Sequence, residues 1–159
     1  MQPRTYTLKE AVVILHRSGG EDEATGITRH IRHWTNLDLL VPVGDKHTGT
    51  GRSREYPVEE IYRAAVLLEL AKWRVPKTVL ADTFRQFAAD FEKEWLLAVQ
   101  GTKAVFVTMS WSEGLTVWNI AVGAPELFML NDPAPKSAIG GPASAIVINL
   151  TQVLRGLRF

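Results

Sequence analysis

Cysteine is absent from the 159 residues, which removes disulfides, thiolate metal sites, iron–sulfur clusters and a catalytic thiol in one step. No apolar run reaches the roughly 18–20 residues that a membrane-spanning helix requires. The N-terminus has no basic patch followed by a hydrophobic stretch, so no secretory signal is expected and the expected compartment is the cytoplasm, without membrane contact. An excess of one charge sign is missing too: 18 Lys and Arg stand against 17 Asp and Glu, for a net charge of +1. That sum alone does not point to a polyanionic partner. Repeats and low-complexity segments are likewise absent. What is present, 46% hydrophobic and 22% charged residues, suffices for a real core and excludes disordered, collagen-like and rod-like chains.

The charges are unevenly placed. Arg29, Arg32, Lys46, Arg52 and Arg54 fall in one stretch together with His30, His33 and His47, whereas acids gather at Glu21-Asp22-Glu23 and at Glu55, Glu59 and Glu60. Thr7 followed three residues later by Glu10 has the pattern of a reciprocal capping box, so a first helix is expected from about Leu8 to His16. Ser18-Gly19-Gly20 should end it, with a polar loop running to Gly26. Thr28 is the next candidate cap. Ile31, Trp34 and Leu37 follow at spacings of three, with Arg29, His30, Arg32 and His33 on the remaining circumference.

Leu39 to Val43 is short, apolar and interrupted by Pro42, which suits an exit segment or edge strand. Gly44 to Arg54 holds three glycines among polar and basic residues and reads as the loop of a hairpin. Pro57 sits at a favourable helix start, with Glu59 and Glu60 in the first turn. Ile61, Ala64, Ala65, Leu68 and Ala71 then repeat at helical spacing up to about Arg74. A further helix is expected from Pro76 or Lys77 to Gln100, carrying an aromatic stripe of Phe84, Phe87, Phe91 and Trp95. Beyond Gly101 the period changes to two: Val105, Val107, Met109 and Trp111 alternate with Phe106, Thr108 and Ser110. A strand there, a second from Leu115 to Val122 across Ser112-Glu113-Gly114, a strand from Ser144 to Leu150 and a short helix from Thr151 to Leu157 complete the reading.

The order helix, turn, cationic helix, basic glycine-rich hairpin, helix, helix resembles the winged helix-turn-helix domain of MerR-type bacterial transcription regulators. Gly26-Ile27-Thr28 is similar to that family's Gly-Val-Ser entry to the recognition helix, and Ile31-Arg32-His33-Trp34 to its Ile-Arg-Tyr-Tyr. Leu37 to Pro42 is similar to its Gly-Leu-Leu-x-Pro exit, Arg54-Glu55-Tyr56 to Arg-x-Tyr in the wing, and Val58-Glu59-Glu60-Ile61 to the acidic start of the next helix. The segment between Leu8 and Gly26 is longer than the family's turn, His33 and Trp34 stand in place of two tyrosines, and Asp38 in place of a glycine. The expected fold is mainly α: a MerR-like winged helix-turn-helix over residues 1–80, a connecting and dimerisation helix over 81–100, and a small α+β part with a β-hairpin over 101–159.

A helix carrying Arg29, His30 and Arg32 can enter the major groove, and a basic hairpin can reach the flanking backbone or minor groove. Phosphate contacts position and base contacts specify. Arg32, Arg52 and Arg54 are therefore assigned to the backbone, and Thr28, Arg29 and His33 to bases. His30, Lys46, His47 and Tyr56 complete the expected interface. The resemblance implies a homodimer, here through Phe84, Phe87, Phe91 and Trp95, that distorts promoter DNA for RNA polymerase. Two alternatives stay open: a small architectural or phage-type DNA-binding factor without an effector, and a protein-interaction module that has lost DNA binding. His30 and His33 lack a third ligand, and Ser110, Ser112, Asn119 and His16 form no nucleophile, base and orienter set, so neither metal, cofactor nor enzyme activity is expected.

Overall fold

The computed structural model describes residues 4–16, 21–44, 53–73, 78, 80, 81, 98–100, 105–112, 115–122, 144–157 and 159. Thr7 starts the first helix, α1 (Leu8–Leu15), as its spacing predicts. Its hydroxyl accepts from the Glu10 amide at 3.3 Å, and the Glu10 carboxylate accepts from the Thr7 amide at 2.8 Å. Immediately before it, Thr5–Thr7 form a strand, β1, too short to leave a readable alternation. The helix closes at His16, whose amide donates to the Val12 carbonyl at 2.9 Å.

The second helix, α2 (Glu21–Asn36), begins well before the expected cap at Thr28. Glu21, Asp22 and Glu23 occupy its first turn, where unpaired amides and the helix dipole favour carboxylates, so the expected loop up to Gly26 is instead helical from Glu21. Thr28 lies in the interior, its hydroxyl donating to the Ala24 carbonyl at 2.9 Å. Ile27, Ile31, Trp34 and Thr35 form the buried stripe. The helix stops at Asp38, which adopts a left-handed φ of 58°; Asp is among the few side chains that tolerate this region in place of glycine.

After the exit, Leu39 and Leu40 are buried and the Val41 amide donates to Glu60 Oε2 at 2.9 Å. Glu60 is itself buried and paired through Oε1 with Arg63 at 2.8 Å, which compensates its charge. The strand β2 (Glu55–Pro57) runs antiparallel to β1, with Tyr6 opposite Tyr56. On its other edge, Glu55 bridges to Val43, whose amide donates to the Glu55 carbonyl at 2.7 Å. The expected hairpin therefore has a closed base, while residues 45–52 lie outside the described residues. Pro57 then caps α3 (Val58–Lys72), which packs Ile61, Ala64, Ala65, Val66, Leu67 and Leu70 inward.

Two compact units divide the chain: residues 1–86 with 156–159, and residues 87–155. In the first, the segment 156–159 returns to the helices: Leu157 is buried, and the Phe159 ring lies 5.7 Å from the rings of both Tyr6 and Tyr62. In the second, β3 (Val105–Ser112) is the central strand between β4 (Leu115–Val122) and β5 (Ser144–Asn149), both antiparallel to it. The Asn149 side chain accepts from the Gln152 amide at 3.0 Å and starts α4 (Leu150–Arg155), which lies against β3 and β5. These strands match the change of period in the sequence to within one residue. Positions 78, 80, 81 and 98–100 are helical; the aromatic stripe Phe84, Phe87, Phe91 and Trp95 lies outside the described residues. Among the described residues the architecture is mainly helical, with no helix long and apolar enough to cross a membrane.

The Thr7 amide, then its hydroxyl, and also Arg4, hold the Glu10 carboxyl below its ordinary value of 4.5. A carboxyl lowered in the folded state stabilises above its unfolded pKa and loses that contribution as pH falls through the folded one. Glu10→Ala should therefore lower the midpoint of urea unfolding at pH 7, and the difference from the parent should shrink as pH falls from the ordinary value through the lowered one.

Candidate nucleic-acid interface

The outward face of α2 is set by its buried stripe. With Ile27, Ile31 and Trp34 turned inward, Thr25, Arg29, Arg32 and Asn36 are exposed, at spacings of four, three and four that place them along one side of the helix. Among the described residues, neither Arg29 nor Arg32 has a hydrogen-bond or ion-pair partner. Glu21 to Glu23 precede Arg29 by about 9–12 Å along the axis at a rise of 1.5 Å per residue. That exceeds the Debye length of about 8 Å at physiological salt, so the acidic turn does not cancel the cationic one.

The other expected contacts divide. Thr28 is half-buried with its proton committed to Ala24, so in this geometry it is not a free donor for a base. His30 is exposed and stacks on Trp34, ring centroids 5.0 Å apart. His33 is half-buried, and its Nε2 is shielded from solvent with no hydrogen-bond partner among the described residues. Arg54 is half-buried and its carbonyl accepts from the Leu8 amide at 3.2 Å, tying this end of the hairpin to the start of α1. Lys46, His47 and Arg52 lie outside the described residues.

Tyr56, expected at the surface, is instead 1% exposed. Its hydroxyl meets Thr35 Oγ1 at 3.0 Å, and Thr35 already donates to the Ile31 carbonyl at 2.8 Å, so Tyr56 donates and Thr35 accepts. This buried pair joins the last turn of α2 to β2. The Glu55 carboxylate beside it accepts from the Thr5 hydroxyl at 2.7 Å.

Two positions on the exposed stripe, Thr25 and Asn36, were not expected at the interface. The signal for them was their helical spacing from Arg29 and Arg32, which becomes readable only once the helix is known to start at Glu21. Among the described residues no group of three His, Cys, Asp or Glu side chains is placed to hold a metal. Compared with the models of known protein families and with curated proteins, the chain matches none.

Removing the Tyr56 donor leaves the Thr35 oxygen buried with one bond fewer. Tyr56→Phe should lower the unfolding free energy by about 1 kcal/mol, read by urea denaturation. Arg29→Ala combined with Arg32→Ala should change it by less than about 0.5 kcal/mol, since both side chains are exposed and have no partner among the described residues.

Proposed function

We propose that this protein is a sequence-specific, double-stranded DNA-binding regulator of transcription, with residues 4–73 acting as a winged helix-turn-helix. In this reading α2 is the recognition helix, entering the major groove with Arg29 and Arg32, and the hairpin closed by Val43 and Glu55 is the wing. The observation that carries the reading is the pair of exposed guanidinium groups, unpartnered among the described residues, on a helix whose inner side is bonded to the base of a basic hairpin. Arginine cations left without internal partners keep their full capacity for guanine edges or phosphate. The element order, strand, helix, helix, strand-closed hairpin, helix, supports the same reading, as does the resemblance of residues 31–61 to MerR-type regulators, whereas Gly26 to Thr28, matched in sequence to the entry of the recognition helix, lie inside α2.

A recognition helix alone spans a few base pairs, and a two-fold dimer would set two of them into successive major grooves. We assign that role to the segment carrying Phe84, Phe87, Phe91 and Trp95. Distortion of promoter DNA to assist RNA polymerase follows from the resemblance and forms part of the proposal.

The test is selection of bound duplexes from random DNA, followed by binding of the enriched site across a range of salt. Arg29→Ala with Arg32→Ala should weaken binding by about 2–4 kcal/mol in total. With Arg32 on phosphate and Arg29 on a base, the slope of log K against log salt becomes shallower by about 0.9 and discrimination between sites relaxes at the base that Arg29 contacts. Failure to enrich any site, or a double variant with unaltered affinity and slope, would refute the reading.

A further inference from the structure

On the first unit, Leu15 of α1, Gly26, Ile27 and His30 of α2, the stretch of α3 from Ala65 to Lys72 and the returning Leu157 enclose a cleft of about 370 Å³. Its walls are apolar, from Leu15, Ile27, Ala65, Leu68 and Leu157, and its polar groups are Glu23, His30, Glu69 and Lys72. Size and lining are those of small-molecule sites, which are apolar with few polar groups.

Gly26 supplies the independent observation. It sits inside a regular α-helix, where glycine costs about 1 kcal/mol relative to alanine. A Cβ built there would meet nothing within 4 Å, and no positive φ demands glycine at this position. Neither close packing nor backbone conformation accounts for the residue, whereas any larger side chain would project into the cleft.

The charges select the occupant. Two carboxylates face one ammonium. The Glu69 side chain is 18% exposed, while that of Lys72 is 64% exposed and reaches Glu69 across a single turn at 2.8 Å. Lys72 also reaches the second Glu69 oxygen at 2.9 Å, but a pair three residues apart on one helix, with its cation largely in solvent, contributes only a few tenths of a kcal/mol, so an ammonium group entering beside Glu69 can exchange with Lys72. Glu23 faces His16 Nε2 at 3.3 Å without hydrogen-bond alignment, which leaves it able to accept. The carbonyl end of α3 lies along the same wall and favours positive charge.

We propose that this cleft binds a small amine with an apolar body, the ammonium set between Glu23 and Glu69 and the hydrocarbon against Leu15, Ile27, Ala65 and Leu68. The site stands whether or not the protein binds DNA. The test is an amide NMR titration of the full chain at pH 7 with hexylamine, hexan-1-ol and hexanoate, three probes that share one body and differ in the head. Hexylamine should give saturable shifts at residues 15, 26, 27, 65 and 68 and bind about tenfold more tightly than hexanoate, with the alcohol between them. Glu23→Gln with Glu69→Gln should reduce the amine to the level of the alcohol. Gly26→Leu should abolish binding of all three, while Gly26→Ala, which retains most of the space, keeps it and raises thermal stability. Absence of saturable amine binding, hexanoate binding as tightly as hexylamine, or an unchanged amine titration in folded Gly26→Leu protein would each overturn the assignment.

Discussion

A single buried hydroxyl pair organises the first unit. Tyr56 donates to Thr35, Thr35 donates to the Ile31 carbonyl, and the cationic helix is thereby bonded at its last turn to the strand that closes the hairpin. The exit from the helix depends on the same neighbourhood: Asp38 turns the chain in left-handed geometry and Glu60 receives the Val41 amide. Apolar burial of Ile31, Trp34, Leu40 and Ile61 supplies most of the stabilisation. The polar bonds add a directional constraint to that packing, because a hydrogen bond weakens steeply away from its axis.

That division of labour explains what the sequence made legible. Local chemistry was readable: the capping box at Thr7 and Glu10, Pro57 at the head of α3, the arrest near Trp73, and the strands after Val105, where the hydrophobic period changes to two. The start of α2 was not, because Gly19, Gly20 and Gly26 carry a stronger breaker signal than an acidic first turn carries a helix signal; packing of Ile27 and stabilisation of Glu21 to Glu23 by the dipole outweighed the cost of Gly26. β1 escaped notice because three residues hold no period, and its existence depends on Tyr56 some fifty positions away. Tyr56 itself looked like a surface residue because a tyrosine beside arginines suits an interface equally well in sequence; only tertiary placement shows where its hydroxyl is used.

The candidate interface was legible at its centre and not at its margins. Arg29 and Arg32 follow directly from the apolar stripe opposite them. Thr25 and Asn36 required the correct helix boundary, and Thr28 required knowledge that its proton is committed within the helix. Near-neutral total charge has a physical meaning in this setting. A protein with net charge +1 has little general attraction for a polyanion, so in the proposed function affinity rests on a few placed cations, and discrimination between sites is large relative to background adhesion.

The return of residues 156–159 to the first unit bears on biosynthesis. Leu157 fills a place beside α1, α2 and α3, yet the ribosome delivers it roughly 85 residues after α3 is complete, a delay of about 4–17 s at 5–20 residues per second. Throughout that interval the cleft lacks its Leu157 wall, and the second unit is synthesised as an insertion before that wall is in place.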